Sequence, residues 1–317
     1  MKPRHSADYR TILWMLVFAP AVMAAQFVNP ELIGKLTILS LYFGVSAAVI
    51  AHNHNHSPTF TSKRANSWFG KVLSIFYGYP TFAWIPTHNL NHHKLVNKPG
   101  DATITWRFTN RHNVLVAATY FFVSAWFQRI PTSQFIERAK AQNPKLHAMI
   151  RGQFWFWGLA HAGLLSLAIF LHGPLLGLKV WFFAVFVPAL FALWTVHLFN
   201  YEQHVHTDPW SEYDHSRNFI SPLLNFLLFN NGYHTAHHEN AGLHWSQLPK
   251  LDAELAPRIN PALREKSVWW YWFRQYVLAV FVPKLGTTQI GRAPFDTPNL
   301  DLRTDDVEAA TYNASRA

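Results

Sequence analysis

The sequence contains no cysteine. Disulfide bonds, thiolate zinc sites, iron–sulfur clusters and cysteine nucleophiles are therefore all excluded. Charge is also scarce, because only 14% of the 317 residues are Asp, Glu, Lys or Arg, against about a quarter in soluble domains. The 27 basic residues outnumber the 17 acidic ones, which gives a formal net charge of +10. That balance suits nucleic acid or the anionic face of a membrane, and long apolar runs favour the membrane.

Four apolar stretches approach or reach the length of about 20 residues that a helix needs to cross a bilayer core. They are 12–28, 32–51, 154–171 and 175–199. We predict an all-α integral membrane protein with four transmembrane helices, formed as a single domain over residues 1–317. Further apolar stretches at 68–86, 114–130 and 269–282 are interrupted or flanked by polar residues, and we predict that they lie at the interface. Residues 287–317 lose apolar periodicity and are expected to form a flexible tail.

Basic residues predict the orientation. Twelve Lys and Arg lie between residues 57 and 151, whereas the turns between paired spans have only Lys35 and Lys179 nearby. By the positive-inside rule, the long loop and both termini face the cytoplasm. We therefore expect a multi-pass membrane protein whose histidine motifs lie on the cytoplasmic side.

Nine of the 19 histidines occur in metal-ligand spacing. Residues 231–239, NGYHTAHHE, hold His234, His237 and His238. On a helix, His234 would share one face with His238 at i+4 and with His237 at i+3. The other six candidates come from HNHNH at 52–56, HNLNHH at 88–93 and NYEQH at 200–204: His52, His56, His88, His92, His93 and His204.

Nine imidazoles exceed the four to six ligands of one ion, so the pattern indicates two metals. Adjacent imidazoles would repel each other when protonated, and bound cations keep them neutral. Neutral ligands leave the cations electrophilic. If they are iron, the pair can reduce O2 and attack an unactivated C–H bond, which redox-inert zinc cannot do. The ligands alone therefore predict a site for two metal ions on the cytoplasmic side and leave the choice of metal open.

Polar residues beside the ligands are expected to orient the imidazole rings or to hold water on a metal. The candidates are Asn200, His54, Asp101, Glu202 and Glu239. For each, a helix cap or a surface position is the simpler alternative. Outside the motifs, we predict that His5, His112, His147, His215 and His244 are surface residues.

The three histidine motifs resemble those of the membrane fatty-acid desaturase superfamily, and GLHWSQLP at 242–249 is similar to its bacterial branch. The resemblance covers roughly residues 35–250. It implies a bacterial-type inner (cell) membrane protein whose cytosolic histidine-rich cap holds two Fe ions, with O2 as co-substrate and electrons from a ferredoxin or a cytochrome-type protein. It also implies that His204 is a ninth ligand and that Asn200 acts beside it. The central His54 departs from the pattern, which leaves the ligand pair of the first motif open.

The resemblance implies oxidation of a fatty acyl chain, and we expect desaturation. Oxidative decarboxylation to a terminal alkene and hydroxylation remain alternatives on the same site. The expected partners are membrane lipid, an electron donor and an acyl substrate in the form of a free acid, acyl-CoA, acyl-carrier or lipid; we expect no nucleic acid. A histidine-rich metal transporter or sensor is the alternative from another class, but it needs polar groups within the spans, which hold few.

Overall fold

The computed structural model describes residues 2–296, and helices dominate this part of the chain. In chain order the helices that organise it are α1 (Asp8–Val28), α2 (Pro30–His56), α3 (Lys63–Tyr77), α4 (Ile85–His92), α5 (Val114–Gln142), α6 (Pro144–His172), α7 (Pro174–His204), α8 (Pro222–Leu227), α9 (His234–Glu239), α10 (Leu248–Leu255) and α11 (Val268–Phe273). The two strands, β1 (Asn218–Phe219) and β2 (Arg264–Glu265), pair in parallel. The predicted all-α class is confirmed.

Four helices, α1, α2, α6 and α7, are long and apolar enough to cross a membrane. The predicted spans lie within them, and the predicted number of four is confirmed. Asparagine followed by proline starts two of these helices: the side chains of Asn29 and Asn143 accept backbone N–H groups of the first turn. Proline in that turn removes a donor that would otherwise be unsatisfied. At the other ends of the spans, the histidine motif at 52–56 forms the last residues of α2, and His204 is the last residue of α7.

Contacts divide the chain into two compact units, each formed from two separate stretches. Unit 1 comprises the residues up to Trp84 and Ala139–Val196. Unit 2 comprises Ile85–Arg138 and the residues from His197 onward. Seven of the nine candidate ligands, all except His52 and His56, belong to unit 2.

In unit 1, the second half of α2 packs against α7. Every residue from Phe43 to His52 is buried, and most of them are small. A Cβ added at Gly44 would lie 2.5 Å from the carbonyl oxygen of Pro188. Glycine and the other small side chains let α2 approach α7 closely. This close packing buries the second half of α2, including His52.

In unit 2, α5 and α11 carry exposed aromatic side chains, such as Trp126 on α5 and Trp269 on α11. Neither helix is among the four that could cross a membrane. α5 is longer than the apolar stretch at 114–130. Of the predicted tail, 287–296 forms hydrogen bonds to the rest of unit 2, and 297–317 lies outside the described residues.

Candidate metal centre

The motif at 88–93 forms a π-helix rather than an α-helix. The π-helix covers Ile85–His92, and His93 begins one α-helical turn. Since a π-helix repeats its hydrogen bonds at i→i+5, His88 and His93 lie one turn apart. Their Nε2 atoms are 3.0 Å apart, and the Nε2 atom of His237 lies 2.9 Å from that of His93. We call His88, His93 and His237 the first group.

A second group comprises His92, His204, His234 and His238. The Nε2 atom of His234 lies 2.9 Å from that of His204 and 3.2 Å from that of His238. One ligand nitrogen from each of the four residues lies within 4.8 Å of the others. His92 and His204 are fully buried. The second group therefore brings together the end of α4, the end of α7 and both ends of the motif on α9.

The side chain of a buried arginine holds the last turn of α7 in position. The buried guanidinium of Arg217 donates hydrogen bonds to the carbonyl oxygens of Glu202 and Val205. A cation that satisfies C-terminal carbonyls stabilises a helix end. It fixes the turn from which His204 projects.

A tight turn precedes α9. The N–H of Gly232 donates to the side chain of Asn225 at 3.0 Å, and a Cβ at Gly232 would lie 2.2 Å from the carbonyl oxygen of Phe219. Asn218 accepts the N–H of Thr235 at 2.9 Å. The glycine and the buried amides thus set where the helix carrying three histidines begins.

Two histidines of the second group have their tautomers fixed by hydrogen bonds. The Nδ1 atom of His92 lies 2.8 Å from a carboxylate oxygen of Asp101, and the Nδ1 atom of His204 lies 3.0 Å from the carbonyl oxygen of His215. Both partners only accept, so each Nδ1 carries the proton and each Nε2 keeps its lone pair. The Nε2 atom of His92 is buried and makes no hydrogen bond. A metal ion would satisfy it.

Asp101 is buried and accepts four hydrogen bonds. One oxygen accepts His92 Nδ1 and the N–H of Asn97, both at 2.8 Å. The other accepts the N–H and the hydroxyl of Thr103, both at 2.7 Å. Burial alone would raise the pKa of Asp101, but its interaction with His92 and the hydrogen bonds from Thr103 hold that pKa below its usual range. The carboxylate therefore stays ionised and keeps its hold on His92.

The distances between imidazoles fit shared cations. For a metal–nitrogen bond of about 2.1 Å, two donors at right angles lie about 3.0 Å apart, whereas tetrahedral donors lie about 3.4 Å apart. The Nε2 contacts within both groups measure 2.9–3.2 Å. Neutral imidazoles are ligands that iron, zinc, copper and nickel all accept. The residues therefore fit metal ions.

The family model for fatty acid desaturase matches residues 31–274. The chain belongs to the fatty acid desaturase family. No curated protein and no solved structure matches the chain. The matched region includes all nine candidate histidines, so the family assignment and the histidine groups concern the same part of the molecule. As a desaturase family member, the protein is an oxidoreductase of fatty acyl chains at a membrane.

The remaining candidate ligands of this desaturase family member, His52 and His56, lie on the last turn of α2 in unit 1. Their ring centroids are 4.9 Å apart. His54, between them, turns to the other side: its Nδ1 contacts the hydroxyl of Thr59 at 2.9 Å and its Nε2 contacts the carbonyl oxygen of Asn66 at 3.2 Å. Both nitrogens of His54 are therefore engaged by the loop that follows α2 and by α3.

The predicted polar neighbours have different surroundings. The amide nitrogen of Asn200 donates to the hydroxyl of Tyr120 at 3.0 Å, and that hydroxyl donates to the carbonyl oxygen of Thr103. A carboxylate oxygen of Glu239 lies 3.7 Å from His215. Among the predicted polar neighbours, Asp101 contacts a group histidine directly, through Nδ1 of His92.

Glu202 faces away from the histidine groups. Its carboxylate accepts the hydroxyls of Tyr271, at 2.8 Å, and of Tyr276. His112 Nε2 lies 3.2 Å from the same carboxylate. Burial raises the pKa of Tyr276, and the Glu202 charge adds to the effect. Glu202 thus anchors the end of α7 to Tyr271 of α11 and to Tyr276, which lies just after that helix.

Three histidines that we predicted at the surface are buried, so that prediction was wrong for them. The side chain of His112 is 1% exposed, and His215 and His244 are 6% and 3% exposed. Single histidines in polar stretches carry no periodic signal that would indicate burial. Tyr120 was also missed, and only its apolar surroundings at 114–130 could have suggested burial.

Proposed function

We propose that the protein is an O2-dependent di-iron fatty acyl desaturase. The observation that carries the proposal is the convergence of seven buried or half-buried imidazoles of unit 2 into two groups. We further propose that His52 and His56 complete the first group. Their HxxxH spacing places both on one face at the end of α2, and three imidazoles alone leave an ion short of ligands.

Two irons held by these histidines would supply the oxidising power for removing two hydrogens from an acyl chain. The overall reaction consumes one O2, two electrons and two protons, and yields a C=C bond and two water molecules. The chain's own residues prepare the site. Asp101 and the carbonyl of His215 hold protons at Nδ1 of His92 and His204, which leaves Nε2 available. Burial of these rings excludes water from the second group.

We propose that the protein lies in a bacterial-type inner membrane, with both termini and the histidine groups on the cytoplasmic side. The basic loop between the second and third spans supports this orientation. The substrate is then an acyl chain presented from the membrane or by a carrier, and a ferredoxin or cytochrome-type protein supplies the electrons. The match to the fatty acid desaturase model supports oxidation of a fatty acyl chain, and of the possible outcomes we propose desaturation, with hydroxylation and decarboxylation as the alternatives.

Mass spectrometry of host lipids and hydrocarbons with and without expression of the protein tests the reaction. A new double bond supports desaturation, whereas a hydroxyl group or a terminal alkene would replace it with one of the alternatives. His93→Ala and His238→Ala, one from each group, should abolish the product while the protein still inserts. His147→Ala, outside both groups, is the control. Wild-type product in either of the first two variants would refute the ligand assignment.

Metal analysis separates the enzyme from a transporter. Two irons per chain and acyl-dependent O2 uptake are expected of the desaturase. Labile zinc without O2 uptake would instead indicate metal transport.

A further inference from the structure

Residues 287–296, which we call the C-terminal strap, lie beyond the region that the family model matches. The strap contains no helix. It nevertheless runs along the loop 205–210, which follows the metal-ligand candidate His204 directly.

The strap contacts four residues of that loop. Ile290 N–H donates to the carbonyl of His206 at 3.0 Å, and the amide of Gln289 donates to the carbonyl of Thr207 at 2.7 Å. Two further bonds are Arg292 N–H to the Asp208 carboxylate, at 2.9 Å, and Trp210 Nε1–H to the Ala293 carbonyl, at 3.3 Å. A Cβ at Gly291 would lie 2.2 Å from the Asp208 carboxylate. The strap and the loop are therefore fitted to each other.

The loop held in this way is tied to His204. The hydroxyl of Thr207 and the amide of Asn97 both donate to the His204 carbonyl, at 2.8 and 3.0 Å. His206, which lies between His204 and Thr207 in the sequence, adopts a left-handed conformation with φ of 59°. A non-glycine residue keeps that conformation only where its surroundings hold it. The contacts of the strap supply that support one turn after the ligand.

The hydroxyl of Thr287 joins two histidines. His206 Nε2 lies 2.7 Å from the carbonyl of Asn110, so Nε2 carries the proton and Nδ1 accepts. Thr287 therefore donates to His206 Nδ1 at 2.9 Å, and its oxygen also lies 2.8 Å from His112 Nδ1. His112 in turn contacts Glu202, two residues before His204. One hydroxyl thus links both sides of the α7 terminus.

We infer that the C-terminal strap is a positioning element of the second group, which holds His204 in the orientation that a metal ion requires. The inference rests on the proposed function only in that a metal occupies the group. It makes the strap part of the metal centre although no strap residue is a ligand.

Release of iron to a chelator tests the inference. The full chain, purified in detergent and loaded with Fe2+ without O2, should lose its two ions in two phases, and His234→Ala identifies the phase of the second group. Thr287→Val removes the hydroxyl at nearly constant volume and should accelerate that phase about tenfold, the lower end of the effect of residues that support ligands. The other phase should not change.

Two matched variants control the test. Thr287→Ser retains the hydroxyl and should release iron like the wild type. Thr288→Val makes the same substitution at the adjacent residue, whose side chain is exposed, and should also behave like the wild type. Equal acceleration of both phases by Thr287→Val, or none, would overturn the inference, because general destabilisation would affect both ions.

If Thr287→Val does not fold, Gln289→Ala takes its place, since it removes one bond to Thr207 from a half-buried side chain and should give the same selective acceleration. Iron release is measured without any acyl substrate. Failure to find a desaturated product would therefore leave this result intact, and a selective effect on release would stand whichever reaction the protein catalyses.

Discussion

Replacing Asp101 with asparagine should separate the second group from its metal. The substitution preserves the shape of the side chain but replaces one of the two carboxylate oxygens, which accepts hydrogen bonds, with an NH2 group, which donates them. Each carboxylate oxygen accepts two hydrogen bonds, one oxygen from His92 and Asn97 and the other from Thr103. In either orientation of the new amide, its NH2 group faces donors.

The two orientations have different consequences. If the NH2 group faces Thr103, a buried N–H loses its acceptor, which costs about 1–3 kcal/mol of stability. If it faces His92, the N–H of Asn97 loses its acceptor, and the ring can take the other tautomer and accept at Nδ1. The proton then occupies Nε2, the nitrogen that would bind metal. We expect the second orientation to weaken metal binding by about 10–100-fold, the usual effect of losing such a partner.

The assay is the affinity of the purified protein for Fe2+ without O2, with thermal unfolding of the metal-free protein measured in parallel. Asp252→Asn is the control, because Asp252 is also buried but pairs with Arg264 at 2.8–2.9 Å. It should lower the unfolding temperature without changing iron affinity. Unchanged affinity and stability in Asp101→Asn would refute the hydrogen-bond assignment around His92.

Further predictions concern a tyrosine, a glycine and pH. Tyr120→Phe should reduce the rate of acyl oxidation about tenfold, because the Tyr120 hydroxyl orients the amide of Asn200. Tyr201→Phe is the control, since the Tyr201 hydroxyl makes a long contact of 3.4 Å, and equal rates in the two variants would contradict the prediction. Gly232→Ala should cost about 1–3 kcal/mol of unfolding free energy by overpacking, whereas Gly242→Ala, with nothing nearer than 3.9 Å, should cost less, as thermal unfolding will show. Burial, followed by the neighbouring histidines, holds the pKa of His238 well below its usual value of about 6.5. Below that pH the unfolded chain binds more protons than the folded one, so the thermal stability of the metal-free protein should fall from about pH 7 to about pH 5. A flat pH profile would argue against a buried neutral ring.

The sequence predicted the features that repeat along it. Apolar length indicated the four spans, and histidine spacing indicated the ligands, because both depend on neighbours within a few positions. Contacts between distant positions left no such signal. His112 and Glu202 are 90 positions apart, and nothing near either residue indicates that they pair. The burial of His112 therefore could not be predicted, although its side chain is 1% exposed.

The paired histidines show how the local helix type decides the division of ligands. His92 and His93 enter different groups, as do His237 and His238. Successive side chains on any helix diverge strongly around the axis, so each adjacent pair supplies one ligand to each group.

Which more distant histidine joins which neighbour then depends on the turn. On α9, an α-helix, His234 shares the second group with His238 at i+4, while His237 at i+3 joins the first. On α4, a π-helix, His88 instead joins His93 at i+5. An α-helix there would favour His88 with His92 and would leave the second group without its carboxylate-supported ring. The π-helix therefore places His88 with His93 in the first group and leaves His92, with its carboxylate partner, to the second.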